Sequence, residues 1–396
     1  MKMKKIICSL MISVLCFMTA ISGVSAANTY DTNKLLDASE KVKAYYKENG
    51  LSDANYLDDI IAYEALGGEA EDDLDISKFE SQIYVSSVGS ISKGIIVAKL
   101  LKKDPTNLII NGSQVNLVSE LENKVDDNGC FGAYEGNNID IWGLLALETV
   151  SSSKTELVAN HISNDINPDG GFWNFGWKQE NPDDPNSSWV IDTDSKLSTC
   201  DVTGWGIEAL SIAGKNKYSS TIQKAIQYLK DNQNEGFGYS VNPDTQACAV
   251  EGLSVYNRES LLNGDYDKNN KNPIDVLLSF QNIDKGNFWY YELGEDNDYA
   301  TQDAARAIGT IVNGSVIYKA KGTKSPDATL TRVENKPSTN PTQPTDNSQD
   351  NKENKTNKKT TSVKTGDETN VVIFASLSMV SGGLFLVLRK EYERVH

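Results

Sequence analysis

Histidine is almost missing from this chain, with His161 and His396 the whole supply. A zinc site built on imidazole therefore has two residues to draw on, and neither lies next to an Asp/Cys pair along the sequence. Zinc is not expected on these grounds, and His161 is read as a solvated residue on a helix. Cysteine is scarce as well: of 5 residues, Cys8 and Cys16 fall in the first apolar run. Cys130, Cys200 and Cys248 remain, an odd set at wide spacing, which excludes a disulfide framework. They are expected as small buried apolar residues. Positive charge is also short, 38 Lys and Arg against 55 Asp and Glu, for a net charge of -17. A nucleic acid or an anionic membrane surface would be repelled by such a chain.

The two ends carry what the middle does not. Residues 1–26 read as a basic start, an apolar stretch and the small-residue exit Val24-Ser25-Ala26, the order of a secretory signal peptide. Near the other end, residues 371–388 form an uncharged apolar run of about bilayer length, followed by Arg389 and Lys390. One transmembrane helix with a short basic cytoplasmic tail is expected there. Residues 324–363 are rich in Pro, Thr, Asn and Lys and have little to bury, so they are expected to form a disordered spacer. Residues 28–323 are then one globular domain on the outer face of a cell envelope.

Within that domain, six segments stack without gaps: 57–66 (LDDIIAYEAL), 91–100 (ISKGIIVAKL), 138–147 (NIDIWGLLAL), 201–210 (DVTGWGIEAL), 244–253 (DTQACAVEGL) and 299–308 (YATQDAARAI). Small and apolar residues surround most of the circumference of each, the mark of a helix buried on nearly all sides. Between them lie stretches with one apolar stripe, at 35–46, 113–125, 155–166, 219–231 and 273–281, with a weaker one near 76–84. Glycine-aromatic turns recur at 128–134, 169–176, 234–240 and 285–291, where an aromatic can plug the gap between helix pairs. The expectation is an all-α fold, an α6/α6 toroid with an inner barrel inside an outer one.

These residues resemble the α/α-toroid superfamily of terpenoid cyclases, protein prenyltransferase β-subunits, cobalamin carriers and complement thioester domains. Ala225, Leu229, Gln233, Gly236 and Phe237 approximate the Gln-to-aromatic turn motif of squalene cyclases, and Gln281, Gly286 and Trp289 echo it. The resemblance implies several activities, which the residues separate. A thioester domain needs a Gly-Cys-Gly-Glu-Gln run, and none occurs. A class II cyclase needs Asp-x-Asp-Asp; aligned, that motif falls on Thr199, Cys200, Asp201 and Val202, so only the central proton donor is kept, as Asp201. Asp201 is thus either a general acid or a helix N-cap, and Asp244 at the matching place favours capping. At the other end, the stretch from Ser362 to Gly366 resembles the Leu-Pro-x-Thr-Gly sorting signals of Gram-positive surface proteins. Thr365 and Gly366 match it, while Ser362 and Val363 do not. Cleavage by a sortase between Thr365 and Gly366 and a plain single-span anchor both remain open.

A carrier needs less, an aromatic-lined cavity. Trp142 and Trp205 hold the fifth place in two successive stacked segments, where Ile61, Ile95, Cys248 and Asp303 stand in the others. They form either a ligand platform or ordinary packing. Trp173, Trp177 and Trp189 gather in the third connection with Phe172 and Phe175, and either grip a flat or sugar-like ligand or plug a turn. Asp265, Asp267 and Asn269 alternate like calcium ligands, yet Asn270 and Val276 replace the Gly and Glu of an EF-hand loop, which leaves an Asx-rich turn as the alternative. The combined expectation is a cell-surface, non-catalytic binding module without a cofactor, for an extracellular small molecule, glycan or protein. Its rivals are a secreted cyclase-like enzyme using Asp201 and an adhesive surface protein with no small ligand.

Overall fold

The computed structural model describes residues 30–332 apart from 133–135, 182, 185–186, 239–240 and 291–294. The segments expected to be a signal peptide and most of a spacer, together with Thr365, Gly366 and the apolar run 371–388, lie outside the described residues. No helix among the described residues is long and apolar enough to cross a membrane. Two compact units are distinguished, one holding residues 30–176 and 191–332, the other residues 177–190 of a hairpin.

The larger unit is mostly α. Its six stacked segments become α2 (Tyr56–Ala65), α4 (Val88–Leu100), α6 (Gly136–Thr149), α8 (Cys200–Gly214), α10 (Pro243–Leu262) and α12 (Asp298–Asn313). Each packs against the next in that order, and α12 packs against α2. The striped stretches supply α1 (Thr32–Asn49), α5 (Leu117–Asn123), α7 (Thr155–Asn164), α9 (Ser219–Asp231) and α11 (Pro273–Leu278). These lie against α12, α4, α6 and α8, α8, and α10 respectively. The short α3 (Ala70–Asp73) follows α2, and the terminal α13 (Val316–Lys321) touches α2, α4, α6 and α12.

Small residues allow the buried helices to meet at backbone distance. A Cβ on Gly252 of α10 would stand 2.0 Å from the Gly204 carbonyl oxygen of α8, and one on Gly204 would stand 2.1 Å from that of Cys248. Under Gly143 and Gly206 sit the rings of Phe131 and Phe172, where a Cβ would meet them at 2.2 and 2.4 Å. These are the turn aromatics, buried at 8% and 0% exposure, so the plugging expected from the repeats is what they do.

A hydrogen bond repeats with the plug. The backbone N–H of Phe131, Phe172, Phe237 and Phe288 is donated to Asp140 Oδ1, Thr203 Oγ1, Gln246 Oε1 and Thr301 Oγ1 at 2.9, 3.0, 2.9 and 3.0 Å. All four acceptors hold the third place of their stacked segment. Asp59 holds it in the first segment and accepts the Ser52 N–H at 2.7 Å. An irregular turn thereby has its buried donor satisfied by the helix it leads into. The first and last pairs are tied by side-chain amides instead: Gln281 donates to the Ala38 carbonyl of α1 at 3.0 Å, and Asn313 to that of Ala65 at 2.9 Å.

The all-α expectation needs correction in two places. Residues 108–115 form a hairpin of β1 (Leu108–Ile110) and β2 (Ser113–Val115), so the stretch 113–125 starts as strand and turns helical at Leu117. Asn111 and Gly112, at φ 51° and 77°, make the tight turn, and Asn-Gly between apolar residues is a strong hairpin signal. The third connection is likewise a hairpin, β3 (Trp173–Gln179) with β4 (Trp189–Ser198), rather than an open loop. The weak stretch 76–84 contains a single 3-10 turn, Phe79–Gln82. The first residues of the segment expected as a spacer, 324–332, still contact the helices: Arg258 donates to the Ala328 carbonyl at 2.6 Å and Arg332 pairs with Asp37 and Glu40 at 2.6 and 2.8 Å.

Candidate functional site

Places one, five and eight of each stacked segment share a helix face, because they are one and two turns apart. In α8 that face carries Asp201, Trp205 and Glu208; in α10 it carries Asp244, Cys248 and Glu251; in α12 it carries Tyr299, Asp303 and Arg306. Arg306 binds this set together. At 4% exposure, it places Nε 3.1 and 2.9 Å from the two Glu251 carboxylate oxygens and Nη1 3.1 Å from Asp303. Its guanidinium lies over both indoles, 5.3 Å from the Trp142 ring and 5.5 Å from that of Trp205. The two rings meet edge to face at 5.9 Å. Lys93 of α4 extends the group, 5.1 Å from the Trp142 ring and 2.8 Å from Asp58.

Trp142 and Trp205 are therefore brought together as their shared place in the repeat implies, but their faces are already covered by Arg306. Glu208, Glu251 and Arg306 were missed by sequence reasoning. Their signal was the eighth place of the stack, which is charged in three successive segments.

Three of the carboxylates gathered near this guanidinium are shifted upward, burial being the largest cause for each. Burial raises Glu208 to about 8, with the charge of Glu251 adding to the rise, while Ser315 donates to it at 2.7 Å. Burial also raises Asp303 to about 6 against the lowering pull of Arg306. Asp244 lies well above the carboxylate range, through burial and then the charges of Asp303 and Asp201. A protonated acid is how a low-dielectric site avoids uncompensated charge.

Asp244 and Asp201 are both half-buried, and of the two it is Asp244 whose Oδ1 is enclosed. Asp201 is half-buried in the first turn of α8, whose N-cap is Thr199, and α10 is capped by Asn242, which accepts the Thr245 N–H at 2.9 Å. The N-cap role expected of Asp201 and Asp244 is not what they perform. Three polar atoms of the cluster are enclosed without a partner among the described residues: Asp244 Oδ1, Arg306 Nη2 and Trp205 Nε1.

Trp173 stands apart from this group. Its Nε1 donates to the Asp165 carbonyl at 3.0 Å and carboxylate at 2.9 Å, its ring packs on Phe175, and Lys196 lies 3.8 Å above it. Trp177 and Trp189 belong to β3 and β4, and their side chains lie outside the described residues. Asp265, Asp267 and Asn269 lie in a tight turn in which Lys268 and Lys271 exchange backbone hydrogen bonds at 3.1 and 3.0 Å, with Asn269 and Asn270 left-handed. Cys200 and Cys248 are buried as expected, and Cys130 is half-buried.

His161 is not the solvated residue expected from the sequence. Its Nε2 lies 3.4 Å from Asp140 Oδ2, and Cys130 Sγ lies 4.0 Å from that same oxygen. Elsewhere, a recess of about 200 Å³ is lined by Tyr45, Tyr46, Ser52, Asp59 and Asp298. Burial raises its Asp59 to about 8, with the Tyr46 hydroxyl donating at 3.1 Å. No protein-family model matches the chain, and no curated protein matches it.

Proposed function

We propose that the chain is an exported, surface-displayed binding module whose helices form an α6/α6 toroid, and that its ligand is a small polyhydroxylic, sugar-like molecule. The return of α12 onto α2 supports the toroid, because six buried helices in sequential contact then have a shared centre. The signal-type start, the spacer and the apolar run before Arg389 support display on the outer face of the envelope, held by a sorting-type signal or a single span.

One observation carries the ligand class: Arg306 Nη2 and Trp205 Nε1 are enclosed donors, and Asp244 Oδ1 is an enclosed carboxyl oxygen, all without a partner among the described residues and in one cluster. A sugar hydroxyl both accepts and donates, so one ligand can answer all three. An unpaired buried polar group costs about 1–3 kcal/mol, and satisfying such groups is what makes polar recognition selective. A terpenoid cyclase would need open aromatic faces to stabilise a carbocation, and here Arg306 already covers Trp142 and Trp205. That consideration favours a binder over acid catalysis at Asp201.

The test is ligand-dependent thermal stabilisation of the full-length protein against mono- and oligosaccharides, polyols and isoprenoid alcohols. Stabilisation by a member of the sugar or polyol set is expected, and it should be lost in Trp205→Phe, which keeps an aromatic ring, though a smaller one, and removes the donor, and in Asp244→Ala. Stabilisation or turnover confined to isoprenoids, no response to any sugar or polyol, or a sugar response unchanged in both variants would overturn the proposal.

A further inference from the structure

The turn before α6, the first turns of α6 itself and the last turn of α7 converge on three donors of different chemistry: a thiol, a carboxylate and an imidazole. Cys130 Sγ, a carboxylate oxygen of Asp140 and a ring nitrogen of His161 all lie within 4.8 Å of one another. Tetrahedral zinc, with bonds of about 2.3 Å to sulfur and about 2.0 to 2.1 Å to nitrogen or oxygen, separates its ligand atoms by roughly 3.3 to 3.6 Å. The His161 to Asp140 distance of 3.4 Å is already in that range, and the Cys130 to Asp140 distance of 4.0 Å needs a contraction of less than about 1 Å.

The donors are also held in place. Asp140 uses Oδ1 to accept the Phe131 N–H at 2.9 Å, which leaves Oδ2 turned to His161 and Cys130. The Cys130 backbone is fixed by its N–H donating to Asp126 Oδ1 at 2.9 Å. Gly129, at φ 88°, lies so close to α7 that a Cβ there would stand 2.5 Å from the Leu157 carbonyl oxygen and 3.1 Å from His161 Cβ. The turn bearing the thiol is thereby pressed against the helix bearing the imidazole. Asp126 and Asp165 add negative charge around both groups. Asp165 itself is occupied by Trp173, Asn137 and Lys196. Asp140 is buried, the His161 side chain is 21% exposed and Cys130 is half-buried, so the group is partly open to water.

We infer that Cys130, Asp140 and His161 bind a zinc ion, with water as the fourth ligand. A mixed sulfur, nitrogen and oxygen set suits a borderline ion such as zinc and disfavours calcium and magnesium, which take oxygen alone. This site is independent of the Arg306 cluster and does not rest on the toroid or on the proposed ligand.

The full-length protein, stripped with a chelator, should take up zinc in equimolar amount by elemental analysis. Cobalt in place of zinc should show a thiolate charge-transfer band in the near ultraviolet. Cys130→Ser and His161→Gln should each weaken zinc binding by at least about tenfold, since loss of even an outer partner costs that much. Cys130→Ser should abolish the charge-transfer band while far-ultraviolet circular dichroism keeps its helical form. His396→Gln should change nothing, as the control for the other histidine. No zinc uptake, a cobalt spectrum without the thiolate band, or uptake that survives Cys130→Ser or depends on His396 would overturn the inference.

Discussion

Replacing Arg306 by Met is the sharpest perturbation this fold permits. Methionine nearly matches the length of the arginine stem and can still pack on Trp142 and Trp205, so the change removes charge far more than volume. What it strands is Glu251 at 0% and Asp303 at 7% exposure, both of which lose their charged partner. Removing one member of a buried ion pair costs about 3–5 kcal/mol, and the lost stacking on two indoles adds about 0.5 kcal/mol or more for each. Against a total stability of about 5–15 kcal/mol, a loss of about 4 kcal/mol is a large share. Stranded Asp303, already raised to about 6 by burial and then without the lowering pull of Arg306, escapes by taking up a proton, so the loss should be smaller at pH 5 than at pH 8. Urea unfolding of the full-length protein, followed by circular dichroism at both pH values, measures the difference. Adding Glu251→Leu to the variant should recover part of the loss, because a buried charge is removed with its partner. A loss under about 1 kcal/mol, or equal losses at both pH values, would refute the view that Arg306 neutralises a buried acidic cluster.

Three further outcomes are expected. Glu208 has a folded pKa raised by burial to about 8, so the folded state keeps a proton that the unfolded chain releases near its ordinary value. Its stability contribution is fully present below that ordinary value and is lost as pH rises through 8; Glu208→Gln should therefore match the parent at pH 4 and exceed it at pH 8, by at most about 1.4 kcal/mol per pH unit in that window. Thermal unfolding across pH checks this, and a variant less stable at pH 8 contradicts it. Gly252→Ala gains up to about 1 kcal/mol of helix propensity but forces a Cβ against the Gly204 carbonyl, at a cost of about 1–3 kcal/mol or more; a net loss in urea unfolding is expected, and a net gain would mean that α8 and α10 can separate freely. Thr301→Val removes the acceptor of the Phe288 N–H and should cost about 1–3 kcal/mol, whereas a cost below about 0.5 kcal/mol would show that the turn finds another acceptor.

Much of the architecture was legible because it rests on local patterns. Helix burial on all sides is written in runs such as GWGIEALSIAG, and a one-sided stripe in TIQKAIQYLK, so the alternation of α8 with α9 follows from residue spacing alone. The plugging role of Phe172 was visible in its glycine-rich turn. The hairpin of β1 and β2 was just as legible in Asn111-Gly112 but was submerged in a helical stripe that starts four residues too early for the backbone. The hairpin of β3 and β4 was masked by its aromatic and acidic composition, which suits a ligand-gripping loop as well as it suits paired strands. Capping misled for a different reason: Asp201 and Asp244 begin their helices, yet side-chain capping at α10 falls to Asn242, two residues before Asp244.

From its residues alone, the chain determined which helices are buried, which are two-faced and where the turns lie, since each depends on neighbours a few positions apart. Only the tertiary structure decided which charged groups share an enclosed space. Arg306 meets Glu251 from 55 positions away, and His161 meets Asp140 and Cys130 across a turn and two helices. Desolvation and charge coupling act through space and not along the chain, so a titration such as that of Glu208 or Asp244 takes its value from the packing of several helices at once.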